Sequence, residues 1–214
     1  MLKVLVLFVP FIGFSQYSEY DWEERDTWMD VNYIFQEAGI EKGSFVADIG
    51  CHEGYLSIHL ANRVGSEGKV YAVDIRTDRL ESLEEHLKDR DINNVNVVLG
   101  DYDNPKLPKG RLDVVVIMDT YHEMTDYMTI LEHVRQSLKP GGRIVIIEKL
   151  KSRIKGKSRA TQTNAHSLGM KYVEGELVKT GFKVAKKDNN LGNWENDRDK
   201  VIWMIIAEIP GKNQ

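Results

Sequence analysis

The sequence predicts an α/β fold, a mostly parallel sheet of seven strands with helices on both faces and the last strand antiparallel. Three observations carry that prediction. Short apolar runs of strand character alternate with helical patterns along nearly the whole chain. The stretch "VADIGCHEGYLS", Val46 to Ser57, turns from the first such run into a helix through two glycines. A carboxylate recurs at the end of each of the first four strands, at Asp48, Asp74, Asp101 and Asp119.

The elements follow in order. From Thr27 to Gly39, apolar residues at Trp28, Val31, Ile34, Phe35 and Ala38 keep helical spacing. "KGSFVADIG" reads as the first strand and "YLSIHLANRVG" as a helix that Gly65 ends. "KVYAVDI" is the second strand, followed by the helical "DRLESLEEHLKDR", and "VNVVLG" is the third. The near-continuous apolar run of "LDVVVIMD" suits a fourth, parallel strand buried on both faces. "MTILEHVRQSLK" is a helix that Pro140-Gly141-Gly142 closes, and "RIVIIEKL" is the fifth strand. "HSLGMKYVEGELVKTG" is a helix stopping at Gly181, before the strands "FKVAKKD" and "KVIWMIIAEI". The loop between these last two is too short for a helical crossover, so they should run antiparallel.

At 214 residues, the chain has room for one substantial domain, and its 42% hydrophobic and 29% charged content is that of a soluble protein. A net charge of −4 gives no electrostatic reason to expect nucleic acid as a partner. A lone cysteine, Cys51, excludes an internal disulfide and a thiolate metal cluster. The six histidines lack HExxH or paired-ligand spacing, so no metal is expected.

The N-terminus reads as a signal peptide over residues 1–15. Lys3 precedes the apolar run "VLVLFVPFIGF", which falls short of the ~18 residues of a spanning helix, and Gly13 and Ser15 precede a cleavage point before Gln16. The chain is then expected to be exported, to a periplasm or beyond, and to be cytoplasmic only if the signal goes unused. The mature protein, 16–214, would be a single domain without stable membrane insertion, its 16–44 segment packing on the core. The alternative is a buried strand or an uncleaved anchor.

In an open parallel sheet the ligand lies outside the carboxyl ends of the strands. Gly50 and Gly54 let backbone approach a ligand closely there, and Asp74 ends strand two near the ~20-residue offset at which an acid grips a ribose. Mutual repulsion of the four acids would be relieved by a cationic ligand, whereas a pyrophosphate would be repelled.

The order Asp48-x-Gly50-x-x-x-Gly54, Asp74, Gly100-Asp101, Asp119 and Lys139-Pro140-Gly141-Gly142 resembles the class I S-adenosylmethionine-dependent methyltransferases, from about Thr27 to the end of the chain. The resemblance implies a Rossmann-like domain, S-adenosyl-L-methionine as cofactor, and methyl transfer to a small or medium acceptor. It implies that the turn of Gly50, Cys51 and Gly54 cradles the methionine part and that Asp74 binds the ribose. Ile75 would pack on adenine, Asp101 and Tyr102 would meet the adenine edge, and Asp48 and Asp119 would line the methionine end. Cys51 has no strong basic neighbour in sequence to make it a nucleophile and reads as a small packing residue in the turn. His52 stands where the family often has a glycine. It reads as a surface histidine, or else as a contact to substrate or cofactor.

"DTYHEM", Asp119 to Met124, is the candidate for acceptor chemistry. His122 could accept a proton from the attacking atom, Tyr121 could line the methyl channel, and Glu123 could orient His122 or bind a cation. The plainer reading of His122 is a helix cap or a packing residue. His166 is a second, weaker candidate. "GYLSIHLANRVGSEGKVYAVDI" also resembles the repair-type carboxyl methyltransferases, and the export signal fits a binding module without turnover; both remain alternatives. The basic run "EKLKSRIKGKSR" reads as a solvated loop, and Trp22 and Trp28 as part of a docked N-terminal segment or a lid.

Overall fold

A computed structural model describes residues 18–210. The proposed signal segment lies outside the described residues. Seven strands form one sheet in the order β3-β2-β1-β4-β5-β7-β6. They are β1 Phe45–Ile49, β2 Lys69–Asp74, β3 Val95–Leu99, β4 Leu112–Met118, β5 Leu138–Lys151, β6 Lys183–Asp188 and β7 Lys200–Glu208. The first five pair in parallel, whereas β7 is antiparallel to both β5 and β6. Strand order reverses between β1 and β4, and the crevice at their carboxyl ends is where such a sheet takes a ligand.

Seven helices accompany the sheet among the described residues: α1 Trp22–Asp26, α2 Val31–Ala38, α3 Tyr55–Val64, α4 Thr77–Asp89, α5 Tyr127–Ser137, α6 Arg159–Thr163 and α7 Met170–Lys179. Helix α2 starts later than the spacing from Thr27 suggests, because Asp30 caps it by accepting the Tyr33 amide at 2.9 Å. Gly39, at φ +75°, ends it. The central strand β4 is apolar on both faces because both are covered. Val114, Val116 and Met118 pack with α2 and α3, while Leu112, Val115 and Ile117 pack with α5 and α7.

Strand β5 is longer than the fifth apolar run. Pairing of Leu138 with Leu112 carries it back through Pro140-Gly141-Gly142, with a register shift between Leu112 and Val114. The turn that closes α5 is therefore drawn into the sheet.

The N-terminal segment docks across α3 and α4. The Trp22 ring meets Tyr55 and His86 edge-on, and the Tyr55 hydroxyl donates to Asp26 at 2.7 Å. This brings α1 to the carboxyl end of β1, beside the crevice.

Candidate functional site

A cavity of about 440 Å³ occupies the crevice, a volume suited to a cofactor-sized ligand. Asp48, Gly50, Cys51, Asp74, Ile75, Asp101, Tyr102 and Asp119, all singled out in the sequence, line its wall. At the end of β2, Asp74 accepts the His52 amide at 2.9 Å and the Arg76 amide at 3.0 Å, one on each carboxylate oxygen. Each oxygen retains a lone pair for a further donor, such as the hydroxyls of a ribose. Beside it, Ile75 is 44% and Tyr102 74% exposed. Two large apolar surfaces open to solvent at a cavity mouth provide walls for a flat ring. Asp101 is exposed and paired with Lys106 at 3.0 Å.

The glycines of the turn are required by the protein itself. A Cβ on Gly50, at φ +81°, would lie 2.3 Å from the Thr120 side chain, and one on Gly54, at φ +100°, would lie 2.3 Å from Leu83 of α4. Gly54 is absent from the cavity wall among the described residues, and its role is the close approach of α4. Between the two, His52 adopts φ +51°, the left-handed conformation that the missing glycine would favour. Histidine is among the residues enriched there, which is how the turn keeps its shape with a side chain in place. An ion pair between Arg79 and Glu53 fastens the turn to α4. Burial pushes the Cys51 thiol well above its ordinary pKa, so it stays protonated.

The acids at the ends of β1 and β4 have resident cations, which strand patterns do not show. Burial pushes Asp48 up to about 7, opposed by the Ser57 hydroxyl, which donates to it at 2.7 Å, and by the charge of Arg25. Arg25 is the one basic residue of the acidic segment "YSEYDWEERD". Its guanidinium is buried against Tyr55 at 4.2 Å and Trp194 at 4.9 Å, and it forms part of the cavity wall. Asp119, at φ +53°, forms an ion pair with Lys149, whose ammonium also lies 4.5 Å from the Trp194 ring centre. Lys149 belongs to the basic run expected to be a solvated loop; it is buried instead.

The "DTYHEM" segment divides between core and cavity. A 3-10 turn over Tyr121–Glu123 sends Tyr121 into the core under α5 and α7, where its hydroxyl donates to Glu176 at 2.9 Å. Among the described residues the cavity wall includes Glu123, Met124 and Thr125 but neither Tyr121 nor His122. His122 is buried, with Nδ1 2.9 and 3.0 Å from the two oxygens of Glu148, which also accepts its backbone amide at 3.0 Å. Its Nε2 lies 3.7 Å from Glu123. Burial disfavours the charged imidazole, but the adjoining Glu148 carboxylate outweighs burial and raises its pKa. Glu148 ends the apolar part of β5, a position the sequence marks only as another strand end. His166 is exposed, edge-on to His122 with ring centres 5.9 Å apart.

The donor set fits a nucleoside with a charged amino-acid tail. Asp74 suits the ribose and the exposed faces of Ile75 and Tyr102 suit the base, while Arg25 offers a positive charge and Asp48 a buried carboxyl at the other end. Together, sheet order and site define a class I, Rossmann-like S-adenosylmethionine-dependent methyltransferase. The chain belongs to the methyltransferase-domain family, whose model matches residues 40–202.

Two demethylmenaquinone methyltransferases are similar to part of it. That of Geobacillus sp. (strain WCH70) is 33% identical over 109 residues, 51% of this chain and 47% of the relative. That of Anoxybacillus flavithermus is 33% identical over 51% of this chain and 46% of the relative. The chain thus spans about half the length of the curated relatives it matches. Among solved structures, a SAM-dependent methyltransferase from Aquifex aeolicus superposes with a TM-score of 0.73 at 22% identity, over 90% of this chain and 99% of that one. A Haemonchus contortus N-methyltransferase in complex with S-adenosylhomocysteine gives 0.70 at 16% identity, over 92% and 58%. Both share the fold.

Proposed function

We propose that this protein transfers the methyl group of S-adenosylmethionine to a small organic acceptor that enters the cavity over the loop after β4. The carrying observation is the single cavity in which Asp74, two exposed apolar walls and the Glu123-Met124-Thr125 rim meet. When bound, the cofactor supplies a sulfonium-borne methyl group open to displacement by a nucleophile. The chain's part is placement. Asp74 fixes the nucleoside end, the Gly50-Cys51 turn with Arg25 and Asp48 brackets the amino-acid end, and the rim holds the acceptor in line. Glu123 is the carboxylate of that rim, with His122 Nε2 3.7 Å from it and Glu148 on the other ring nitrogen. The name of the relatives, matched over about half their length, supports a small organic acceptor rather than a protein carboxylate.

The test is calorimetry with S-adenosylhomocysteine and NAD, followed by transfer of labelled methyl across an acceptor panel. Selective binding of S-adenosylhomocysteine and labelled product are expected. Preferential NAD binding would sink the cofactor assignment, and binding without transfer to any acceptor would favour a binding module. Export of the mature chain from Gln16 is part of the same proposal, supported by Lys3, the apolar run and Gly13-x-Ser15. An intact N-terminus, found by mass spectrometry on protein from its native host, would refute it.

A further inference from the structure

Beyond methyl transfer, and independent of it, we propose that His122, Glu123 and His166 form a binding site for a divalent first-row transition-metal cation, with zinc(II) the best match. His166 Nδ1 lies 3.4 Å and His122 Nε2 3.7 Å from the same Glu123 oxygen, and one ligand atom from each residue lies within 4.8 Å of the others. Bonds of ~2.0–2.2 Å to a tetrahedral cation set neighbouring ligand atoms about 3.3 Å apart. The exposed Glu123 and His166 side chains need only a small closing movement to reach that spacing, while His122 is already fixed.

What fixes His122 is the second, independent observation. Glu148, fully buried, takes both the backbone amide and Nδ1 of His122. A proton held at Nδ1 directs the Nε2 lone pair towards Glu123 and His166. Carboxylates stand behind metal-binding histidines in this manner, orienting the ring and making it a better donor. A histidine serving only as a packing residue has no need of a buried carboxylate on one nitrogen and a second carboxylate beside the other.

A rival trio, Asp119, His122 and Glu148, is fully buried, but Asp119 is engaged by Lys149 and Nδ1 by Glu148. In the outward trio, His122 Nε2 and His166 Nδ1 both lie within 3.7 Å of one Glu123 oxygen. Two imidazoles and one carboxylate suit zinc and its neighbours rather than calcium or magnesium. Three protein ligands leave a coordination position open, and Glu123 sets that position at the cavity rim. Sequence spacing conceals the site because the two histidines come from loops following different strands, β4 and β5.

The experiment is titration of the untagged, metal-free mature chain with cobalt(II), read by visible d–d absorption, with S-adenosylhomocysteine affinity measured separately. One cobalt per chain is expected, displaced by zinc. His166→Ala and Glu123→Gln should each weaken cobalt binding at least tenfold, and Glu148→Gln by about 10–100-fold. His166 is exposed, so its variant should fold and keep its affinity for S-adenosylhomocysteine even where Glu148→Gln does not fold. Absence of d–d bands from the wild type at micromolar cobalt would overturn the site. So would a His166→Ala variant that binds cobalt as tightly as the wild type. Failure to bind S-adenosylhomocysteine would bear on the cofactor reading alone.

Discussion

Asp74 accepts the backbone amide of His52 at 2.9 Å, so the acid placed for the ribose also holds the cofactor turn in shape. With Arg76 donating to its other oxygen at 3.0 Å, two amides depend on one carboxylate. Asp74→Ala should therefore weaken S-adenosylhomocysteine binding by about 1.5–3 kcal/mol or more, through lost ribose contacts and a loosened turn. Asp74→Asn should be nearly as poor, because its amide nitrogen cannot accept from either backbone N–H. Calorimetry decides this. An Asn variant binding like the wild type would show that the carboxylate is dispensable.

The same turn makes His52 a test of backbone conformation. At φ +51° a glycine fits without strain, while the unfolded chain gains freedom, and these effects roughly cancel. His52→Gly should stay within about 1 kcal/mol of the wild type in urea unfolding and bind S-adenosylhomocysteine normally. His52→Val, β-branched in a left-handed position, should lose about 1–3 kcal/mol. Equal stability of the two variants would mean that the turn relaxes, and loss of binding in the Gly variant would make His52 a ligand contact.

The sheet and its strand-end acids were legible because short apolar runs, glycine turns and the acid after β2 are local in sequence. What escaped is held by long-range pairing. Arg25 reads as one charge in an acidic segment, and only the docking of α1 turns it inward against Tyr55 and Trp194. Lys149 reads as the start of a solvated basic run, yet continuation of β5 alongside β7 buries it next to Asp119. Tyr121 and Glu123 are two residues apart and end on opposite sides, one in the core and one at the cavity, because a 3-10 turn intervenes. Side-chain direction in so short a turn is set by what packs around it, and periodicity carries no signal for that.

Asp48 makes stability depend on pH in the sense opposite to most carboxylates. Its ordinary value is 3.8, and burial raises it to about 7 in the folded protein. Between those values the unfolded chain has released the proton that the folded one keeps, so stability falls as pH rises through this window. Asp48→Asn removes the effect and can still accept from Ser57. Relative to the wild type, the variant should gain roughly 2–3 kcal/mol more at pH 8 than at pH 5. Urea unfolding at both pH values measures the difference; an equal offset at the two would mean that Asp48 titrates normally.

The Lys149–Asp119 ion pair decides whether Asp119 serves the cofactor or the fold. Both side chains are buried, and breaking such a pair from one side leaves a charge with too little compensation. Lys149→Met should therefore cost about 3–5 kcal/mol of stability. Adding Asp119→Asn should restore most of that loss, because asparagine tolerates the left-handed backbone at this position and no unpaired charge remains. Since Lys149 already engages the carboxylate, the double variant should lose less affinity for S-adenosylhomocysteine than Asp74→Ala does. A double variant that is stable but binds as poorly as Asp74→Ala would assign the Asp119 carboxylate to the cofactor. A double variant no more stable than Lys149→Met alone would show that Lys149 supports the fold through its contact with Trp194 rather than through its charge.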